Sequence, residues 1–157
     1  MNRQLFLVGI LASTFLATVL LIPRALYRKY LLYGLVLGGL ADIVVVGLCN
    51  RVLHWFTWTS LGPANVFGWN ALVPLSFTFW LMLYLYFLPL RTAFLIPYVI
   101  AFTGMGIIMG QVTRNLGLFS YKPFFVYLSP FIFLAWFSAA AWVFRWQERV
   151  IEERPVR

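Results

Sequence analysis

The chain has 157 residues, of which 63% are hydrophobic, 20% aromatic and 10% charged, whereas a soluble domain carries about 25% charged residues. Twelve lysines and arginines against four acids give a net charge of +8. The composition excludes a soluble domain and places the chain in a membrane; the positive charge is spread over short connections, with no basic domain to hold a nucleic acid.

A hydrocarbon core about 30 Å thick needs a helix of about 20 apolar residues, and the sequence offers five such runs, at about 4–22, 31–50, 71–89, 92–113 and 124–144. Membrane barrels are excluded, because their short strands alternate apolar with polar residues and these runs are continuous. The predicted fold is all-α: one integral membrane helical bundle over residues 1–157, with five transmembrane helices.

The first run, LFLVGILASTFLATVLLI, follows Arg3 and passes straight into Pro23 and PRALYRKY. A secretory signal has a shorter apolar region and a small-residue cleavage site, so this run is read as a retained anchor. The second contains GLVLGGLADIVVVG, with one aspartate amid apolar residues. Gly34, Gly38 and Asp42 follow one another at four-residue spacing and share a stripe of the helix; Gly34 and Gly38 form the small-xxx-small pattern that lets helices approach closely. Cys49, the single cysteine, is expected to pack as a small apolar residue.

The segment RVLHWFTWTSLGPANVFGWN holds Trp55, Trp58 and Trp69 in half-polar surroundings, with a turn at Gly62 and Pro63. Tryptophans sit at headgroup level, so the spacing predicts a short interfacial helix over the outer loop 51–69, with a re-entrant loop as the alternative. His54, the only histidine, is read as interfacial as well. The fourth run repeats the four-residue stripe with Gly106, Gly110 and Arg114, Thr103 lying near the same face, and the second and fourth helices are expected to pair through these stripes, or a single stripe to mediate homodimerisation. RWQERVIEERPVR continues the fifth helix as a cytoplasmic tail over 145–157, with Arg149 and Glu153 at i,i+4 spacing.

Sidedness follows from the basic residues, which stay on the cytoplasmic side of short loops. With five spans, Arg24, Arg28, Lys29, Arg91, Arg145, Arg149, Arg154 and Arg157 share one side, and Arg3, Arg51, Arg114 and Lys122 the other. The imbalance predicts an outside N-terminus and a cytoplasmic C-terminus.

At about 1.5 Å per residue Asp42 lies about 12 Å below the outer surface. The same depth on the neighbouring spans reaches Ser13 or Thr14, Ser76 or Thr78, Thr103, and Ser129. An ionised carboxylate there is costly, whereas a protonated one bonded to hydroxyls is not; Arg114, about 13 Å nearer the surface, is too far to pair with it. Two readings of the carboxyl stand: a hydrogen-bonded structural residue that fixes helix register, or a proton or cation site with Thr78 and Thr103 as neighbours.

Catalysis finds little to build on. Intramembrane aspartyl hydrolysis needs two carboxyls, magnesium-dependent diphosphate chemistry needs an acidic cluster, haem needs two histidines, retinal needs a lysine within a span, and Ser60 near His54 lacks an acid and a nucleophile elbow. No enzyme activity, metal or cofactor is expected.

NVFGWNALVPLSFTFWLMLYLYFLPLRTAFLIPYVIAFTG and NLGLFSYKPFFVYLSPFIFLAWFSAAAWVFRW place a span closing on YLYFLP with a basic residue behind it before a further span, an NLGLFSY loop and an aromatic final span. Over about the last 90 residues this order resembles small multi-spanning membrane proteins of unknown function from endospore-forming bacteria. The resemblance implies a bacterial cytoplasmic (inner) membrane and brings no catalytic residues; Asp42 lies outside it. The function expected is that of a structural or interaction subunit, in contact with membrane lipids and with further copies or other membrane subunits. The alternative is a small proton-coupled transporter or substrate-binding subunit centred on Asp42.

Overall fold

The computed structural model describes residues 3–59, 64–66 and 69–152. Five helices carry the fold: α1 (Arg3–Leu21), α2 (Arg24–Val52), α3 (Leu72–Tyr86), α4 (Thr92–Asn115) and α5 (Phe125–Glu152). Four of them, α1, α2, α4 and α5, are long and apolar enough to cross a membrane. Their most apolar windows have only 11% to 22% of residues buried, so most of this apolar surface faces outward, where acyl chains rather than water suit it.

The second helix begins at Arg24, directly after Pro23, so PRALYRKY is helix rather than a connecting loop. It is not α-helical throughout. Gly34–Leu40 and Leu48–Val52 are π-helical, with Ala41 N–H reaching back to Val36 O and Leu53 N–H to Leu48 O. These wider turns flank Asp42 on both sides, and such turns are frequent at functional sites. The helix ends at His54, whose φ of 51° is in the left-handed region that histidine tolerates better than most residues; the next amide, Trp55 N–H, closes back on Cys49 O at 2.8 Å.

The third helix departs from the predicted span. Its 15 residues reach about 22 Å, short of the hydrocarbon thickness. It is nevertheless central, packed against α1 and α2 and meeting both α4 and α5 through its rings, Tyr84 against Tyr98 and Phe102 and Phe77 against Trp136. Ser76, Thr78, Leu81, Met82, Tyr84 and Leu85 are all buried. Its non-helical flanks are tied to the bundle by hydrogen bonds, although the Leu90 side chain is 95% exposed. At one end Asn70 Nδ2 donates to Gln4 Oε1 at 3.3 Å, and at the other the carbonyls of Pro89 and Leu90 accept from Arg145 at 2.6 and 2.7 Å.

The segment expected to form a short interfacial helix, 51–69, forms strands instead. Among its described residues, β1 (Phe56–Trp58) forms an antiparallel ribbon with β4 (Phe119–Tyr121), pairing Thr57 with Ser120, while β2 (Asn65–Val66) pairs with β3 (Trp69–Asn70). The reason is period two: Phe56 and Trp58 point one way with exposed Thr57 between them, and Phe119 and Tyr121 repeat the arrangement around Ser120. Lys122 N–H to Trp55 O at 2.9 Å and Thr59 N–H to Leu118 O at 3.0 Å extend the ribbon at both ends.

The glycine stripes do not bring α2 to α4; each packs on the next helix in the chain. A Cβ on Gly34 would stand 2.6 Å from Thr78 O and 2.6 Å from Met82 Cγ, and one on Gly38 2.9 Å from Phe77 O, so α2 lies on the backbone of α3. A Cβ on Gly106 would meet the Phe133 ring of α5 at 3.0 Å. A small-residue stripe specifies close approach but not a partner, and Ser76 and Thr78 give α3 the small polar residues that such a contact favours. Gly34→Ala is expected to destabilise by about 1–3 kcal/mol through overpacking against a backbone carbonyl that cannot move aside. Gly104→Ala, with nothing within 4 Å of the added carbon, is expected to be neutral or slightly stabilising. Unfolding of both variants in detergent checks this, and equal losses would refute the close contact.

Toward the end opposite the ribbons the bundle is filled by aromatic rings. Tyr84 and Phe137 are fully buried with centroids 4.9 Å apart, Phe102 is 4.9 Å from Tyr84, and Tyr98 stacks on Tyr84 at 5.3 Å. Tyr84 Oη donates to Phe137 O at 2.9 Å and Tyr98 Oη to Tyr84 O at 2.7 Å, so both hydroxyls are satisfied within the core. At that end Lys29 Nζ and Glu148 Oε2 form an ion pair at 2.6 Å, and Tyr33 Oη donates to Gln147 Oε1 at 2.5 Å.

Candidate functional site

The ribbon end of the bundle is hollow. A partly open cavity of about 210 Å³ is lined by residues of all five helices and of the β1–β4 ribbon. Asp42 of α2 lies on its wall, 9% exposed. Val45, Val46 and Cys49 follow from the same helix; Leu7 and Ile10 come from α1, Ser76 and Trp80 from α3, Gly110 and Thr113 from α4, Ser129 and Trp136 from α5, and Phe56, Trp58, Phe119 and Tyr121 from the ribbon.

The carboxyl is not hydrogen-bonded to the hydroxyls counted at its depth. Ser76 Oγ donates to Leu72 O at 2.7 Å, Thr78 Oγ1 to Pro74 O at 2.9 Å, Ser129 Oγ to Val126 O at 3.3 Å, and Ser13 and Thr14 to Ile10 O at 2.9 and 2.8 Å. Each is satisfied by the carbonyl one turn earlier in its own helix, an alternative always within reach of a serine or threonine in a helix. Among the described residues no hydrogen bond or ion pair reaches the Asp42 carboxyl. Thr78 and Thr103 do not line the cavity: Thr78 sits where α2 crosses α3, so that a Cβ on Gly39 would run into its Oγ1, and Thr103 is buried with an unpartnered hydroxyl.

Two indole nitrogens share the unpartnered condition. Trp58 Nε1 and Trp80 Nε1 are buried without an acceptor, and both tryptophans line the cavity. A buried donor without a partner costs free energy. Trp136, a third lining tryptophan, differs: its Nε1 donates to Leu37 O at 2.8 Å, within the first π-helical stretch of α2. The ionisable side chains on the lining are Asp42, Cys49 and Tyr121, with no lysine, arginine, histidine or glutamate. Among the described residues no three histidine, cysteine, aspartate or glutamate side chains gather as a metal site would require.

The remaining sequence-predicted residues, Gly110 excepted, do not line the cavity. Arg114 is placed over the Tyr121 ring, 4.5 Å from its centroid, which ties the end of α4 to the ribbon. Trp55 meets Phe124 edge-on at 5.5 Å, and His54 is exposed beside it. Trp69 lies in β3. Gly110 has nothing within 4 Å of an added Cβ because it faces the cavity. Glu153, the expected i,i+4 partner of Arg149, lies outside the described residues.

Sequence reasoning missed Trp80 and the inward role of Trp58. The FTW and FSY alternation could have revealed the ribbon and therefore Trp58; nothing in the pattern of α3 distinguishes Trp80 from a lipid-facing tryptophan. Comparison of the chain with protein-family models, curated proteins and solved structures finds no match.

Proposed function

We propose that the protein is a small transporter or substrate-binding subunit of a bacterial cytoplasmic membrane, with Asp42 as its intramembrane proton or cation site. One observation carries the reading: the cavity reaches a buried carboxyl to which no described residue is bonded. A carboxyl kept only to fix helix register has to be hydrogen-bonded, since an unbonded one costs stability and gives nothing in return. A dry, close-packed carboxyl could not exchange protons with either side; one on a partly open cavity can.

The finer placement belongs to the same proposal. Five crossings with the N-terminus outside put the ribbons on the outer face, and the cavity then opens from that side. The clustering of Lys29, Glu148, Arg145 and the Leu90 carbonyl at the opposite end agrees with a basic cytoplasmic face. The bacterial membrane rests on the resemblance to proteins of endospore-forming bacteria. Exposed side chains such as Phe131 and Trp142, each 68% exposed, suit a subunit interface, but lipid tails cover such surface equally well.

A hydrophobic carbodiimide tests the reading, because it modifies protonated carboxyls in apolar surroundings. Mass mapping of protein treated in membranes is expected to find the adduct on Asp42, and Asp42→Asn to remove it. An Asp42 that stays unmodified in the native protein but reacts once the chain is unfolded would overturn the proposal.

A further inference from the structure

We propose that the ribbon-end cavity binds a small organic ammonium ion, one aromatic ring in size, with Asp42 as counter-charge and the lining aromatic side chains around it. The inference rests on the reading of Asp42 as a working carboxyl and adds the class of molecule it meets.

Three features of the lining converge on this class. The first is charge. Asp42 is 9% exposed and pairs with none of the described residues, and the lining supplies no basic side chain. A positive ligand is therefore the group that compensates a carboxylate there, and an anionic one is excluded. The second is wall chemistry. Phe56, Trp58, Phe77, Trp80, Tyr121 and Trp136 present ring faces and edges around the space, and a cation within about 6 Å of such a ring face is attracted by its quadrupole, most strongly by tryptophan.

The third is size. An apolar cavity of about 150 Å³ holds one benzene; at about 210 Å³ this one has room for a single ring with a short amine-bearing arm, and not for a fused polycycle. Gly110 keeps that room open, since nothing lies within 4 Å of where its Cβ would be.

The test uses the full chain in nanodiscs of phosphatidylglycerol, whose headgroup has no ammonium, with three probes matched in size: 2-(4-methoxyphenyl)ethylamine, the corresponding neutral alcohol and the corresponding carboxylate. Titration calorimetry is expected to show the amine binding and the carboxylate not binding. The neutral alcohol should bind on the order of 10-fold more weakly or worse, and Asp42→Asn should weaken the amine on the order of 100-fold. Gly110→Leu should fill the space and abolish binding.

Thermal unfolding of each variant confirms that it is folded, and Gly110→Leu, distant from any backbone contact, serves if Asp42→Asn does not fold. Amine and alcohol bound equally would overturn the ammonium assignment. No binding of any probe to a protein whose Asp42 still reacts with carbodiimide would overturn this inference and leave the working carboxyl standing; no binding and no reaction would remove both. If phosphatidylethanolamine added to the discs displaces the amine, the ammonium site stands and its natural occupant is a lipid headgroup.

Discussion

Phe137→Ala is expected to destabilise the bundle by about 2–4 kcal/mol. Phe137 has no exposure and touches rings of two other helices and of its own: Tyr84 and Phe77 of α3 at 4.9 and 6.3 Å, Phe102 of α4 at 5.9 Å, and Phe133 one turn earlier in α5 at 6.5 Å. In water such a truncation would lose both the transfer free energy of the ring and the contacts around the void. In a membrane the transfer contribution largely vanishes, because lipid tails are as apolar as the core. What remains is lost dispersion against the surrounding rings and the void itself, at about 24 cal/mol per Å³, which sets the upper figure below that for a soluble protein. Phe131→Ala on the same helix, 68% exposed, is expected to cost under about 0.5 kcal/mol. Tyr84→Phe, which removes the hydroxyl bonded to Phe137 O at 2.9 Å, is expected to cost about 1 kcal/mol. Unfolding of the three variants in mixed micelles orders them, and a Phe131→Ala as costly as Phe137→Ala would show that the ring cluster is not the core.

The same distinction explains how much of the architecture was legible. Hydropathy located the helices, because a continuous apolar run has few uses other than a membrane helix; α4 begins at Thr92, at the boundary read from the sequence. Hydropathy could not rank them. The central helix α3 and the lipid-facing α1 have similar apolar content, yet Leu81 is fully buried and Leu20 is 71% exposed, and in lipid both suit leucine equally. Burial inside a membrane is decided by small residues and ring packing, which leave no amphipathic stripe to read. Gly34 and Gly38 were recognisable as a close-approach surface, but not the helix that meets them. The ribbon was misread because three tryptophans in a half-polar loop suggest interfacial anchors, although FTW and FSY alternate with period two. Of the site, Asp42 was the one residue whose type is exceptional for its surroundings, and so the one legible in advance. The indoles of Trp58 and Trp80 are ordinary membrane residues until the fold leaves their N–H groups without acceptors.

Asp42→Leu is expected to make the empty protein more stable, by about 1–2 kcal/mol, while removing the working carboxyl. The sign separates the two readings of the residue. If the carboxyl were bonded to neighbouring hydroxyls and held the helices in register, its loss would break those bonds and leave buried donors open, at a cost of about 1–3 kcal/mol. The hydroxyls of Ser76, Thr78 and Ser129 are instead occupied by carbonyls of their own helices, so leucine strands none of them. It also replaces an unpaired polar group on an apolar wall by a side chain of the same kind as Val45 and Val46 beside it, and the replacement of buried charges by well-packed apolar residues is often stabilising. The cavity then loses both its polar anchor and part of its volume. Denaturant titration in detergent micelles, alongside carbodiimide mapping, reads both consequences: higher stability with no adduct is the expected pair. A destabilised Asp42→Leu would mean that the carboxyl holds the fold together, and the case for a ligand at the ribbon end would go with it.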